Sequence, residues 1–246
     1  MKILITGGSG NLGTELKKIY PTAWAPSSKA LNLKNLSSIS KYLKTNIPDV
    51  VIHTAALTDV RKCEKEHDLA WKINVEGTEN LFTVAISVNT GVSFVFISTA
   101  GVFSGEEGNY DEESVPYPQN FYCFTKSVAE QKLLTYMFFY PNNICVIRTN
   151  FVPKKKWQYP RAFIDRWGTY LFASDVAKGI KDVIDARLTG IVHICGDKKL
   201  SMFELAKFTT PDIKPVTLSE YNGVPLPKDI SLVTKKWKTY SIGNTF

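Results

Sequence analysis

Tyr122 and Lys126 stand four positions apart in the run Tyr122-Cys123-Phe124-Thr125-Lys126, and Thr99 lies 23 residues upstream, just past the apolar run Phe94-Val95-Phe96-Ile97. On a helix that spacing places both side chains on one face, so they share a site. A phenol with a reference pKa of about 10 is a poor acid near neutrality, and a nearby ammonium favours its ionised form. The expected chemistry is proton donation by Tyr122 to a developing alkoxide. Lys126 would tune the phenol, and Thr99 would hydrogen-bond to the reacting oxygen. These three are the candidate catalytic residues.

A second pattern supplies a place for a cofactor. The run Thr6-Gly7-Gly8-Ser9-Gly10-Asn11-Leu12-Gly13 follows a short apolar stretch and precedes a helix-like one reaching Ile19. A G-x-G-x-x-G between strand and helix lets a pyrophosphate approach the helix N-terminus, where free N–H groups and the helix dipole favour anions. Gly7, Gly10, Asn11 and Leu12 are therefore expected at the phosphates of a dinucleotide. The group that reads the adenosine ribose is normally an acid about 20 residues further on. Here Ala23-Trp24-Ala25-Pro26-Ser27-Ser28-Lys29 contains no acid. With Ser27, Ser28 and Lys29 as donors to a 2′-phosphate, NADPH is the expected cofactor and NADH the alternative.

Residues 3–6, 50–54, 92–98, 144–149 and 191–195 read as buried strands, because each is an apolar run of strand length. Between them Leu36, Ile39 and Leu43 recur at helical spacing, as do Ala70, Ile73 and Leu81, and later Val176, Ile180, Val183 and Ile184. Alternating strands and helices imply an α/β fold, a Rossmann-type doubly wound parallel sheet. Residues 1–150 and 173–195 would form the dinucleotide-binding domain. Residues 151–172 and 196–246, richer in Pro, Lys and aromatics, would form a small interwoven C-terminal substrate lobe.

The 246 residues are 44% hydrophobic and 12% aromatic, enough for a sizeable core, which excludes a disordered chain or a disulfide mini-scaffold. The apolar runs are too short to cross a bilayer of about 30 Å, and no secretory segment is visible. Cys63, Cys123, Cys145 and Cys195 make no C-x-x-C pair and no zinc-like spacing with the histidines, so reduced thiols, a cytoplasmic location and no metal are expected.

Together, the glycine turn, Thr99 and the Tyr122/Lys126 pair resemble the extended short-chain dehydrogenase/reductase superfamily. Within it, Ser98-Thr99, Val102-Phe103, Gly105, Gly108, Tyr110, Glu112, Pro116, Pro118, Asn120, Tyr122 and Lys126 follow the pattern of dTDP-4-dehydrorhamnose reductases. Val51-Ile52-His53-Thr54-Ala55-Ala56 looks like the strand and turn beneath the adenosine half of the cofactor, which implies contacts from Ala55 and Ala56. Asn74-Val75-Glu76-Gly77-Thr78 resembles a helix motif whose asparagine supports the active-site backbone, and Asn74 joins the cofactor set. Arg148-Thr149-Asn150-Phe151 resembles the strand end beside the nicotinamide, which implies Asn150. Pro227-Lys228-Asp229-Ile230-Ser231-Leu232 looks like the family's substrate-nucleotide segment. Members usually place Asp-Tyr after the active-site Thr, where this chain has Ala100-Gly101. It is also shorter between Asn150 and Phe172.

The resemblance implies NADPH-dependent reduction of a nucleoside-diphosphate 4-keto-6-deoxy sugar, in deoxysugar or cell-surface polysaccharide biosynthesis. The net charge of +7 is concentrated in two C-terminal segments, 154–166 and 228–238. A nucleic-acid partner is one reading of such charge, and a solvated face another. In a lobe that holds a sugar nucleotide, both segments read as a diphosphate anchor, with Lys154, Lys155, Trp157, Arg161, Lys228 and Ser231 as substrate contacts. No nucleic acid and no membrane are expected as partners; a homodimer is left open. The acidic loop Glu106, Glu107, Asp111, Glu112 and Glu113 reads as a solvated surface. His53 and His193 read as packed strand residues. Two alternatives remain: a sugar-nucleotide 4-epimerase or epimerase/reductase, and an NADP-binding regulatory subunit without catalysis.

Overall fold

In a computed structural model, which describes residues 1–243, five parallel strands form one sheet. In chain order the elements around it are β1 (Ile3–Thr6), α1 (Asn11–Ile19), α2 (Leu36–Thr45), β2 (Val50–His53), α3 (Val60–Lys65), α4 (His67–Trp71), α5 (Gly77–Val88), β3 (Ser93–Ile97), α6 (Phe121–Tyr136) and β4 (Ile144–Thr149). Short pieces follow: β5 (Phe151–Val152), β6 (Arg161–Phe163), β7 (Trp167–Gly168) and β8 (Leu171–Phe172). Then come α7 (Ala173–Asp185), β9 (Gly190–Ile194), β10 (Leu200–Ser201), α8 (Met202–Lys207) and β11 (Lys214–Val216). The sheet order is β1-β2-β3-β4-β9. This is the Rossmann-type arrangement, and the expected strands lie within two residues of their places.

The alternation of β1 shows how the core divides. Ile3 and Ile5 point into a cluster with Leu12 and Leu16 of α1 and Val176 and Ile180 of α7. Leu4 points the other way, into a cluster with Ile39, Leu81, Phe82, Phe94 and Leu133. Helices therefore cover both faces, which is why the strands read as continuous apolar runs. After α1 a single parallel bridge joins Trp24 to Leu4 of β1. The helix expected through Ala70 and Leu81 is interrupted by a π-helical stretch, Lys72–Glu76. Such wide turns are frequently found at functional sites.

Beyond β4 the chain makes three two-stranded pairings, β5 with β8, β6 with β11 and β7 with β10. Residues 244–246, which end the expected substrate lobe, lie outside the described residues. The C-terminal segment returns to the sheet: Trp237, Tyr240 and Ile242 pack on the α1/α7 core. Glu112 fastens it, a correction to the solvated acidic loop. This carboxylate is 4% exposed and accepts from Thr234 Oγ1 at 2.6 Å, Lys235 N at 3.0 Å and His193 N at 3.2 Å. Burial raises its pKa, but the hydrogen bonds outweigh burial and the net shift is downward. A depressed folded-state pKa means that the stabilisation is present above the unfolded carboxyl pKa and is lost as pH falls through the folded one. Glu112→Ala should therefore cost roughly 2–3 kcal/mol at neutral pH. Thermal melts should show the gap between parent and variant narrowing in acid.

Candidate active site

The carboxyl ends of β1 to β4 open onto a cleft of about 530 Å³. Gly7, Gly10, Asn11 and Leu12 line it, as do Ala55, Ala56 and Asn150, and so do Thr99, Tyr122 and Lys126. The structure thus brings the glycine turn and the reactive trio to one cavity. Gly7 adopts φ +71°, and a Cβ there would press on Thr54 Oγ1 at 2.7 Å and Ala55 N at 2.8 Å. A Cβ on Gly13 would overlap the Gly7 carbonyl oxygen. Gly10 caps α1 with no side-chain acceptor, and the first turn carries no acid. Its N–H groups and dipole are left for an anion.

The residues fit a dinucleotide on a further observation. Ser98 Oγ and Thr149 Oγ1 are buried, have no hydrogen-bond partner among the described residues, and belong to residues lining this cleft. Buried hydroxyls are rarely left so, and polar groups of a ligand would satisfy them. Ser27, Ser28 and Lys29 are exposed, follow Trp24, and are not part of the cleft wall.

Helix α6 delivers Tyr122 and Lys126, and its first turn is held from three sides. Asn120 Oδ1 accepts from Cys123 N at 3.0 Å, and Glu64 Oε1 from Phe121 N at 2.6 Å. Thr125 Oγ1 donates to Tyr122 O at 2.7 Å and accepts from Asn74 Nδ2 at 3.0 Å. Asn74 also exchanges bonds with the Leu57 backbone, at 2.8 and 3.1 Å. Asn74, expected among the cofactor contacts, is 1% exposed and is not part of the cleft wall; its hydrogen bonds join the Leu57 backbone to α6. The π-helical turn that carries it was not legible from periodicity.

The electrostatics depart from expectation. Burial raises the Tyr122 phenol above its usual 10, with Cys123 and Cys63 adding to the shift. The Lys126 ammonium lies 3.8 Å from the centre of the Phe96 ring. Burial lowers its pKa to about 7, against the opposing pull of Glu130. Tyr122 is held protonated, as an acid must be, and its hydroxyl has no hydrogen-bond partner among the described residues. Thr99 Oγ1 accepts from Gly101 N at 3.1 Å, so its own proton is available to a ligand oxygen. A Cβ on Gly101 would lie 2.7 Å from Cys123 Sγ. The glycine therefore lets α6 close onto the Thr99 turn.

His53 bridges strand and helix, bonding Thr6 Oγ1 at 2.6 Å through Nδ1 and Thr78 Oγ1 at 2.9 Å through Nε2. Burial, with Lys126 nearby, lowers its pKa to about 3, so it is a neutral packed residue as expected. His193 bonds Val233 O through Nδ1 at 2.8 Å and is likewise packed.

The expected substrate contacts scatter. Ser231 is fully buried, donates to Asp229 Oδ1 at 2.7 Å and accepts from Asn109 N at 2.8 Å, so it latches a loop. Trp157 packs against the cluster of Ala162, Ala206 and Ile213. Arg161 pairs with Glu220 at 2.9 Å, Lys235 with Asp111 at 2.6 Å and Lys238 with Asp182 at 2.9 Å. These three cations of the two basic segments are thus already paired with carboxylates. Lys228 is exposed beside the loop at Gly105, and Lys154 and Lys155 line a separate cavity with Asn11. Sequence reading singled out no role for Arg166. Half-buried, it donates from Nε to Pro227 O at 3.2 Å, and its charge works to lower the pKa values of Cys123 and Tyr170 against the larger effect of burial. Nothing in its spacing set it apart from the other cations of its segment.

Comparison with known proteins agrees with this architecture. A family model described as RmlD substrate binding domain matches residues 1–244. Methionine adenosyltransferase 2 subunit beta of Rattus norvegicus is 26% identical, over 98% of this chain and 83% of its own. The crystal structure of dTDP-4-dehydrorhamnose reductase from Bacillus anthracis, in complex with NADP, superposes with a TM-score of 0.84 at 27% identity. The match covers 95% of this chain and 91% of that one. A hypothetical dTDP-4-dehydrorhamnose reductase from Sulfolobus tokodaii gives 0.80 at 32% identity, over 94% and 92% of the two chains. With its glycine turn and Thr99, Tyr122 and Lys126 on one cleft, the chain belongs to the RmlD substrate binding domain family, within the extended short-chain dehydrogenase/reductases.

Proposed function

We propose that the chain is an NADPH-dependent reductase of a nucleoside-diphosphate 4-keto-6-deoxy sugar. The observation that carries this reading is the single cleft shared by the glycine turn and the Thr99, Tyr122, Lys126 trio. The Bacillus anthracis structure, a dTDP-4-dehydrorhamnose reductase in complex with NADP, supports it. Bound at the glycine turn, a reduced nicotinamide supplies the hydride. Tyr122 gives its phenolic proton to the carbonyl oxygen as that oxygen gains charge, and Thr99 donates a hydrogen bond to the same atom. Lys126, in the same cleft, would support the phenolate that results with its positive charge. The protein's share is alignment of two reactants and a placed acid.

A cytoplasmic location fits the four buried free thiols, and no described helix is long and apolar enough to cross a membrane. Residues 151–172 and 196–246 would form the substrate side. The test is oxidation of NADPH on mixing with dTDP- or UDP-4-keto-6-deoxyglucose.

Two observations favour a second reading. Gly101 leaves no side chain beside Thr99, and the rat relative is named as a subunit of another enzyme. A protein that binds NADPH, oxidises none with either ketone, and is recovered in stoichiometric complex with a partner enzyme would be a regulatory subunit.

A further inference from the structure

Beside the main cleft lies a second cavity of about 230 Å³, lined by Asn11, Thr14, Glu15, Lys154, Lys155 and Ser174 among others. Asn11 lines both spaces, so they share a wall at the first residue of α1. The balance of charge around the smaller space is cationic. Glu15 is engaged by Lys18 at 2.8 Å, whereas among the described residues Lys154 and Lys155 have no carboxylate partner. The Lys154 ammonium faces the Phe172 ring, at 5.6 Å. Ser174 Oγ is buried without a hydrogen-bond partner among the described residues. Two unneutralised ammoniums and an orphan hydroxyl around one recess match the donor set that an oxyanion requires.

The neighbourhood says which anion. Thr99 and Tyr122 take no part in this cavity, whereas Asn11 and Thr14 belong to the first turns of α1, the helix that starts at the glycine turn. A phosphate reaching Lys154 and Lys155 across α1 therefore comes from the dinucleotide side. Lys155 N donates to Pro153 O at 2.9 Å, a tight turn that closes the segment on itself.

We propose that Lys154 and Lys155, with Ser174, form a phosphate subsite that holds the phosphates of the bound dinucleotide, not those of the sugar nucleotide. This rests on the reading of the main cleft as a dinucleotide site. It also assigns the two lysines away from the substrate role that their place in the sequence suggested.

The test is the Lys154→Ala/Lys155→Ala double variant of the full chain. Both side chains are exposed, and circular dichroism would verify its fold. Dissociation constants for NADPH, NADH and dTDP would be measured by calorimetry at low and high salt. Both dinucleotides should bind about tenfold or more weakly, with a flatter salt dependence, and dTDP should be unaffected. Weakening of NADPH alone would still support the subsite and would assign it to the 2′-phosphate. Weakening of dTDP alone, or no change in any ligand, would overturn it. A parent protein that binds neither dinucleotide would overturn the reductase reading together with the subsite. A parent that binds them and a variant that matches it would overturn the subsite only.

Discussion

Tyr122→Phe should lower ketone reduction by about 10²- to 10⁴-fold, the usual contribution of a placed acid, while dinucleotide affinity stays near that of the parent. In the proposed mechanism the phenol supplies the proton, and Lys126, the other titratable group of the cleft, lies over the Phe96 ring. Thr99 has a hydroxyl but no tuning charge, and the neutral His53 is locked between Thr6 and Thr78. The ring of Phe keeps the packing of Tyr122 at the start of α6, so folding should be preserved. Steady-state kinetics beside a fluorescence titration of NADPH would check both halves. Comparable activity in parent and variant would mean that another group delivers the proton.

The second large effect is expected at Glu130, which touches neither ligand. Its carboxylate meets Arg148 through Nε at 3.1 Å and Nη2 at 2.7 Å, and the two side chains are 0% and 1% exposed. Removing one partner of such a pair leaves a buried charge uncompensated, at a cost of about 3–5 kcal/mol. For a chain of this size, Glu130→Ala should lower Tm by roughly 10 °C or more. Arg148 also lies over the Phe103 ring at 5.0 Å, so the Glu130→Leu/Arg148→Met double variant, which removes both charges, should regain much of the loss. Calorimetric melts of the parent and both variants would show whether the double variant is more stable than Glu130→Ala.

Glu130 also connects stability to the site. Its charge opposes the burial that lowers Lys126, whose pKa is about 7. In the stable double variant that support is gone, and Lys126 should lose its proton at lower pH than in the parent. A lowered amine pKa means the folded state carries fewer protons than the unfolded one between about 7 and the ordinary lysine range, so this group's contribution to stability rises with pH there.

The site was legible because its residues are tied to backbone geometry that leaves a mark in sequence. Gly7 and Gly13 are required by close backbone approach, and Tyr122 and Lys126 by helical spacing. The sheet was legible because strands buried on both faces are continuous apolar runs, as at Phe94 to Ile97. What escaped depends on partners distant in the chain. The role of Glu112 is set by residues 193, 234 and 235, and that of Ser231 by Asn109. The partners of a charge run are hidden for the same reason: folding brings Asp111 to Lys235 and Asp182 to Lys238. After α1 the chain adds only the Trp24 bridge to the sheet edge, since Pro26 follows closely and cannot donate to a ladder.

The most direct measurement follows a hydrogen isotope. The protein would be incubated with NADPH carrying deuterium at the transferable nicotinamide position and a nucleoside-diphosphate 4-keto-6-deoxy sugar, and the sugar product read by NMR and mass spectrometry. Deuterium bonded to the carbon that was the carbonyl, with one NADP formed per label transferred, is the expected result. Label that stays in the dinucleotide while the sugar returns unreduced or merely inverted would contradict a reductase at this cleft.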